Sequence, residues 1–153
     1  MRKKRDVRMG DYKIGTDEQV LSALGIGSCV AVCIYTEEKS KAALAHVMLP
    51  TEEGKNTEKH AHVLLPQMLE HLKLEDIEKE EMKAKIFGGA TMFPDNTIDI
   101  GKQNVKSVKE ILGDEDIEIQ EEDTGGAKGR AVWLNCRSGD VVVRKNGEKT
   151  QRF

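Results

Sequence analysis

CVAVCIYTEEKSKAALAHVML, residues 29 to 49, contains two apolar runs on either side of a polar one, and its reading decides the fold. Cys29 to Tyr35 is apolar and partly β-branched, which favours a buried strand over a helix in so short a run. Thr36 to Lys41 is polar and makes a turn. Ala42 to Leu49 is a second strand that stops at Pro50, so the pair is expected to form an antiparallel hairpin. The first strand emerges directly from GIGSC, residues 25 to 29, where two glycines precede a thiol. Cys29 is therefore either a small core residue that follows a turn or a sulfur that the turn presents.

The hairpin makes that choice geometric, because side chains alternate faces along a strand and a one-residue slip reverses every face. The partner of interest is His46. With Glu37 and Glu38 central to the turn, Cys29 lies directly opposite His46. With Glu38 and Lys39 central, the two are diagonal neighbours on one face; an uneven turn separates them onto opposite faces. Directly opposed β-carbons lie about 5 Å apart, and diagonal ones remain within reach of longer side chains. A free cysteine has a pKa near 8.5, and a neighbouring imidazole can take its proton, hold the thiolate as an ion pair and later protonate a leaving group. Gly25 and Gly27 allow a tight turn whose amides around Ser28 and Cys29 could stabilise an oxyanion. The chemistry implied is acyl transfer through a thioester.

Working outward, Val7 to Ile14 reads as a short strand interrupted by Gly10, and Gln19 to Leu24 leads into the GIGSC turn. Beyond a polar loop at Thr51 to Thr57, a helix is expected from about Glu58 to Leu72, with Val63, Leu64, Met68, Leu69 and Leu72 facing the core. Pro66 should kink or break it. Ala84 to Phe87 is a strand ending in Gly88 and Gly89. Val105, Val108, Ile111 and Leu112 form one stripe of a helix closed by Gly113. Ile117 to Ile119 is another strand, and RAVWLNC, a Ser138-Gly139-Asp140 turn and VVVRK make a final hairpin, with Gly147 in the tail. Strands outnumber helices and regular βαβ alternation is absent. The expected class is α+β: a single domain over residues 1 to 153, a β-sandwich of mixed sheets with helices packed on one side.

Composition narrows the function. The chain has 153 residues, 38% of them apolar, and a net charge of -3. That size suits one compact domain, and the balance gives no reason to expect nucleic acid. Arg2 to Arg5 is expected to be part of a solvated N-terminal tail over about residues 1 to 6. No apolar run reaches the roughly 18 residues of a transmembrane helix, and no apolar stretch follows Met1, so a cytoplasmic protein without membrane insertion is expected. Three cysteines without paired spacing indicate thiols, with Cys33 and Cys136 as packing residues. His60, His62 and His71 read as solvated surface; no metal and no cofactor are expected. Gly88, Gly89, Met92 and Phe93 either line a substrate rim or make a structural turn. Asp123 to Gly126 with Gly129 and Arg130 is expected to shape the rim of the site, with Arg130 in an ion pair.

Five motifs in order, GIGSCVAVCIY, AHVMLP, GGATMF, IGKQN and EDTGGAKGR, span residues 25 to 130. Together they resemble the CheD family of chemoreceptor glutamine deamidases of bacterial and archaeal chemotaxis. The resemblance implies a hydrolase related to toxin-type glutamine deamidases, which converts selected glutamines of methyl-accepting receptors to glutamate and ammonia. It implies Cys29 as nucleophile and His46 as general base. It also implies binding to a CheC-type phosphatase that acts on phosphorylated CheY, and in some members methylesterase activity. Where the family often has a threonine six residues ahead of the nucleophile, this chain has Ala23. Ser22 would face the other way, so the sequence leaves the third member of the catalytic group open, with a backbone carbonyl as one candidate. His62 stands where relatives tend to carry an acid.

Overall fold

The computed structural model describes residues 3–48, 61–92 and 99–153. The expected Pro50 stop, the loop at 51–57, the first residues of the helix expected from Glu58, His60 and Phe93 lie outside them. Two five-stranded sheets face each other. In the first, the order is β1 (Lys4–Asp6), β3 (Val20–Ile26), β8 (Arg130–Asn135), β9 (Val141–Lys145), β10 (Gln151–Arg152). In the second it is β2 (Tyr12–Thr16), β5 (Lys41–Val47), β4 (Val30–Thr36), β6 (Lys83–Gly88), β7 (Glu118–Thr124). Helices α1 (Ala61–Leu74) and α2 (Ile100–Asp114) cover the outer face of the second sheet. The α+β sandwich with helices on one side is thus the observed architecture.

The centre of this arrangement is the hairpin β4–β5. Every residue of β4 is buried, because one face meets the helices and the other meets the first sheet. Val30, Val32 and Ile34 pack with Ala43, Ala45 and Val47 under Leu64, Leu65, Met68 and Leu72 of α1 and Val108 and Leu112 of α2. Ala31, Cys33, Tyr35, Ala42 and Leu44 pack instead with Leu21, Phe87, Val132 and Leu134 between the sheets. Period-2 alternation in an entirely apolar strand fills two cores at once. A fully buried leucine such as Leu65 contributes roughly 1.5–3 kcal/mol by burial, and truncation to alanine costs about 2–5 kcal/mol.

Several expectations are corrected. Val7 to Ile14 is not one strand: Met9 and Gly10 turn the chain, and β2 joins the second sheet. The tail expected over residues 1 to 6 does not hold for Lys4–Asp6, which pair in parallel with Val20–Ser22 of β3, so backbone bonding outweighs the charge of their side chains. Pro66 leaves α1 unbroken and lies on its exposed side, where Val63 is only half-buried and Leu65 takes the core position. β7 runs on to Thr124, and β10 ends the sheet where a tail was expected. One βαβ unit exists, since β6 and β7 are parallel and joined by α2.

Candidate active site

The turn before β4 is where the chain crosses from one sheet to the other. β3 belongs to the first sheet and β4 to the second, so residues 27–29 bridge the edge of the sandwich. Pairing of β3 with β8 slips between Ala23 and Ile26, which pushes Leu24 outward to 50% exposure and sets Gly25 at a φ of +65°. A side chain would be strained there. Beneath the turn lies the end of β6. The Gly89 amide donates to the Cys29 carbonyl at 2.7 Å, the Ala90 amide to the Gly27 carbonyl at 2.9 Å, and Asn104 Nδ2 to the Ser28 carbonyl at 2.8 Å. All three carbonyls of the Gly27-Ser28-Cys29 run are thereby held from one side.

The register settles the relation of Cys29 to His46. Ala31 pairs with His46 and Val30 with Val47, with Glu38 and Lys39 central to the turn, which is the diagonal case. The two side chains share the face between the sheets. Cys29 is 6% exposed and His46 is 3% exposed. His46 Nδ1 lies 3.2 Å from the Val7 carbonyl oxygen. That oxygen can only accept, so the proton sits on Nδ1, and Nε2 keeps its lone pair as an acceptor. Nε2 is buried and has no hydrogen-bond partner among the described residues. Ala23 is in the core, and Ser22 is turned to Asp6 at 3.3 Å, away from the imidazole.

Electrostatics keep both groups neutral at rest. Burial pushes the Cys29 thiol up, while its own backbone N–H pulls the other way. Burial lowers His46, opposed by the Val7 carbonyl and by the charge of Asp6. A preformed thiolate–imidazolium pair, which the sequence suggested, is disfavoured on both sides; burial selects a neutral thiol and a neutral imidazole on the same face, with no hydrogen bond between them. Such a pair can act by transferring the proton as the sulfur attacks. Cys33 and Cys136 are fully enclosed, and burial drives both thiols up, Cys136 to about 12.

A family model described as CheD chemotactic sensory transduction matches residues 48–145. The chain is 40% identical over 146 residues to the chemoreceptor glutamine deamidase CheD of Thermotoga maritima, covering 94% of this chain and 93% of that protein. It is 39% identical over 147 residues to a protein of Methanococcus vannielii named a probable chemoreceptor glutamine deamidase CheD, covering 93% and 95% of the two chains. A Clostridium novyi protein named in the same way is 37% identical over 154 residues, with 94% and 95% covered. The chain belongs to the CheD family.

The glycine motifs of this CheD-family chain divide between support and surface. Gly88 and Gly89 are buried beneath the Cys29 turn rather than open to solvent. A β-carbon on Gly88 would press into the Cys29 carbonyl, and one on Gly89 would lie 2.9 Å from the Gly101 carbonyl oxygen. These glycines let three backbones meet. Met92 is 43% exposed and lies over Gly27, where an added β-carbon would come within 3.3 Å of its side chain. It forms a rim on the solvent side of the turn. Arg130 is buried, paired with Asp123 at 3.3 Å, and donates to the Gly88 and Gly125 carbonyls at 3.4 and 3.0 Å. Its ion pair therefore fastens the ends of β6 and β7.

Two contributors escaped the sequence reading. The Val7 carbonyl is a backbone atom and leaves no trace in residue type. Asn104 did leave one: Gly101, Asn104, Val108 and Leu112 form the buried stripe of α2, and a polar amide amid apolar spacing is an anomaly. Asn104 is 1% exposed, and its Oδ1 has no partner among the described residues, at a cost of about 1–3 kcal/mol. Among the described residues no helix is long and apolar enough to cross a membrane.

Proposed function

We propose that this protein hydrolyses glutamine side-chain amides of chemotaxis receptors to glutamate, with Cys29 as nucleophile and His46 as general base. The sulfur attacks the amide carbon as its proton passes to His46 Nε2. The C–N bond breaks, and the imidazolium returns that proton to the departing ammonia. Water, deprotonated by the same nitrogen, then attacks the thioester, releasing glutamate and restoring the thiol. Amides around Ser28 and Cys29 stabilise the oxyanion in both halves. The observation that carries the reading is the fixed tautomer of His46: Nδ1 is occupied by the Val7 carbonyl, and Nε2 is unpartnered on the face shared with Cys29. The names of the relatives supply the substrate class. In this reading the protein works in the cytoplasm and also binds and regulates a CheC-type phosphatase.

Incubation with receptor cytoplasmic domains and mass spectrometry of the peptides tests it: glutamine becomes glutamate with the backbone intact. His46→Ala should abolish turnover without unfolding the protein. A chain acting mainly as a regulator of the phosphatase would leave the receptor unchanged while stimulating phosphatase activity. The lack of a hydroxyl at Ala23 would favour that alternative, but the Val7 carbonyl accepts from the imidazole without one.

A further inference from the structure

We propose that Asn104 is a positioning residue that aims the Ser28–Cys29 peptide so that the Cys29 amide faces the substrate oxyanion. The peptides of the described residues are trans, so the carbonyl and the N–H of one peptide point in opposite directions. The Ser28 carbonyl and the Cys29 N–H belong to the same peptide. Asn104 Nδ2 holds that carbonyl toward α2, which turns the Cys29 N–H away from α2. The neighbouring peptide is fixed likewise: the Ala90 amide holds the Gly27 carbonyl, so the Ser28 N–H points outward as well. Among the described residues neither amide donates to another residue. Two adjacent donors aimed by fixed partners are what an oxyanion hole requires, because donors oriented beforehand need no reorganisation during reaction.

The identity of the residue supports the assignment. Its place on the apolar stripe of α2 would suit leucine, which packs there without an orphaned acceptor. Only the Nδ2 bond distinguishes asparagine favourably at this site. The bond also polarises the Ser28–Cys29 peptide and strengthens its N–H as a donor.

This inference rests on the nucleophile proposed above, and its test is independent of glutamine. Cys29 of the intact protein is acylated by p-nitrophenyl acetate, which develops an oxyanion, and alkylated by iodoacetamide, which does not; mass spectrometry reads each at Cys29. In Asn104→Leu, acylation should fall about ten- to a hundredfold, while alkylation and the unfolding temperature stay close to wild type. On a receptor fragment kcat should fall with KM unchanged. Asn104→Ser, which retains a hydroxyl donor, should lose less. A parallel fall of both rates in both variants, an unchanged ratio, or failure of the ester to acylate wild-type Cys29 overturns the proposal. Wild-type protein that is acylated by the ester yet leaves every receptor glutamine intact overturns the deamidase reading alone, and the ratio still decides the role of Asn104.

Discussion

Gly101→Ala should destabilise the protein, against the ordinary preference for alanine in helices. Within a helix, replacing glycine with alanine contributes about 1 kcal/mol of stability. Gly101 lies in the first turn of α2, where its missing side chain lets the 89–90 segment pass. A β-carbon there would press into the Ala90 carbonyl and come 2.6 Å from the Gly89 carbonyl oxygen. Both obstacles are backbone atoms, which cannot rotate aside as a side chain can. Overpacking of this kind costs about 3 kcal/mol at the upper end of the usual range, leaving a net loss near 2 kcal/mol after the helical gain. For a domain of this size that corresponds to a fall of about 4–8 °C in unfolding temperature. Gly113 is the internal control, since nothing lies within 4 Å of its added β-carbon, and Gly113→Ala should be neutral or stabilising. Urea denaturation of both variants measures the difference. Because Gly89 and Ala90 hold the carbonyls of Cys29 and Gly27, turnover in Gly101→Ala should fall by more than its folded fraction does. A Gly101→Ala protein as stable as wild type would refute the reasoning, since the clearance beneath the 27–29 turn would then have no energetic meaning.

Other outcomes follow from the same contacts. The acid limb of kcat/KM should lie below the ordinary histidine value of 6.5, because burial lowers His46 and only the neutral imidazole accepts a proton; a pH–rate profile checks this. The same shift has a stability consequence: a histidine kept neutral in the fold binds protons more weakly than in the unfolded chain, so stability is lost as pH falls through 6.5 toward the folded value, which acid titration followed by circular dichroism would register. Iodoacetamide should label Cys29 ahead of Cys33 and Cys136, both fully enclosed, with a rate that rises above pH 9 because burial raises the Cys29 thiol; equal labelling of all three on peptide mapping would contradict the exposure described. Met92→Lys should raise KM for a receptor fragment several-fold with little change in unfolding temperature, since its side chain is half-open above Gly27.

The hairpin at residues 29 to 49 was legible because β-branched apolar runs around a polar turn leave few alternatives, and the diagonal register was one of three that its turn allowed. Val108 and Leu112 of α2 were legible from spacing, whereas Val105 and Ile111 are only half-buried and Gly113 lies inside the helix instead of closing it. What the residues could not show was partnership between distant backbones. Lys4–Asp6 looks like a solvated basic stretch until β3 offers it an edge, and β10 depends in the same way on β9. The site divides along the same line. Cys29 and His46 are visible as reactive types at a spacing that a hairpin can close, whereas the orienting atom is the carbonyl of Val7, whose side chain says nothing about its oxygen. Gly88 and Gly89 were visible as unusual, but whether they face substrate or support required knowing that α2 lies beneath them.

The contact between Val7 and His46 joins opposite layers of the sandwich, and its donor and acceptor are 39 residues apart along the chain. Val7 is anchored by its amide to the Ser22 carbonyl at 2.7 Å, just beyond the end of β1. Peeling away that short first strand, by proteolysis near the N-terminus or by tension on a fused tag, would withdraw only Val7 from the core between the sheets, since Lys4–Asp6 contribute no core residue. The imidazole, however, would be free to spin and to exchange tautomers. A preparation could therefore be fully folded by circular dichroism and still be silent, and the first few residues would be the place to look.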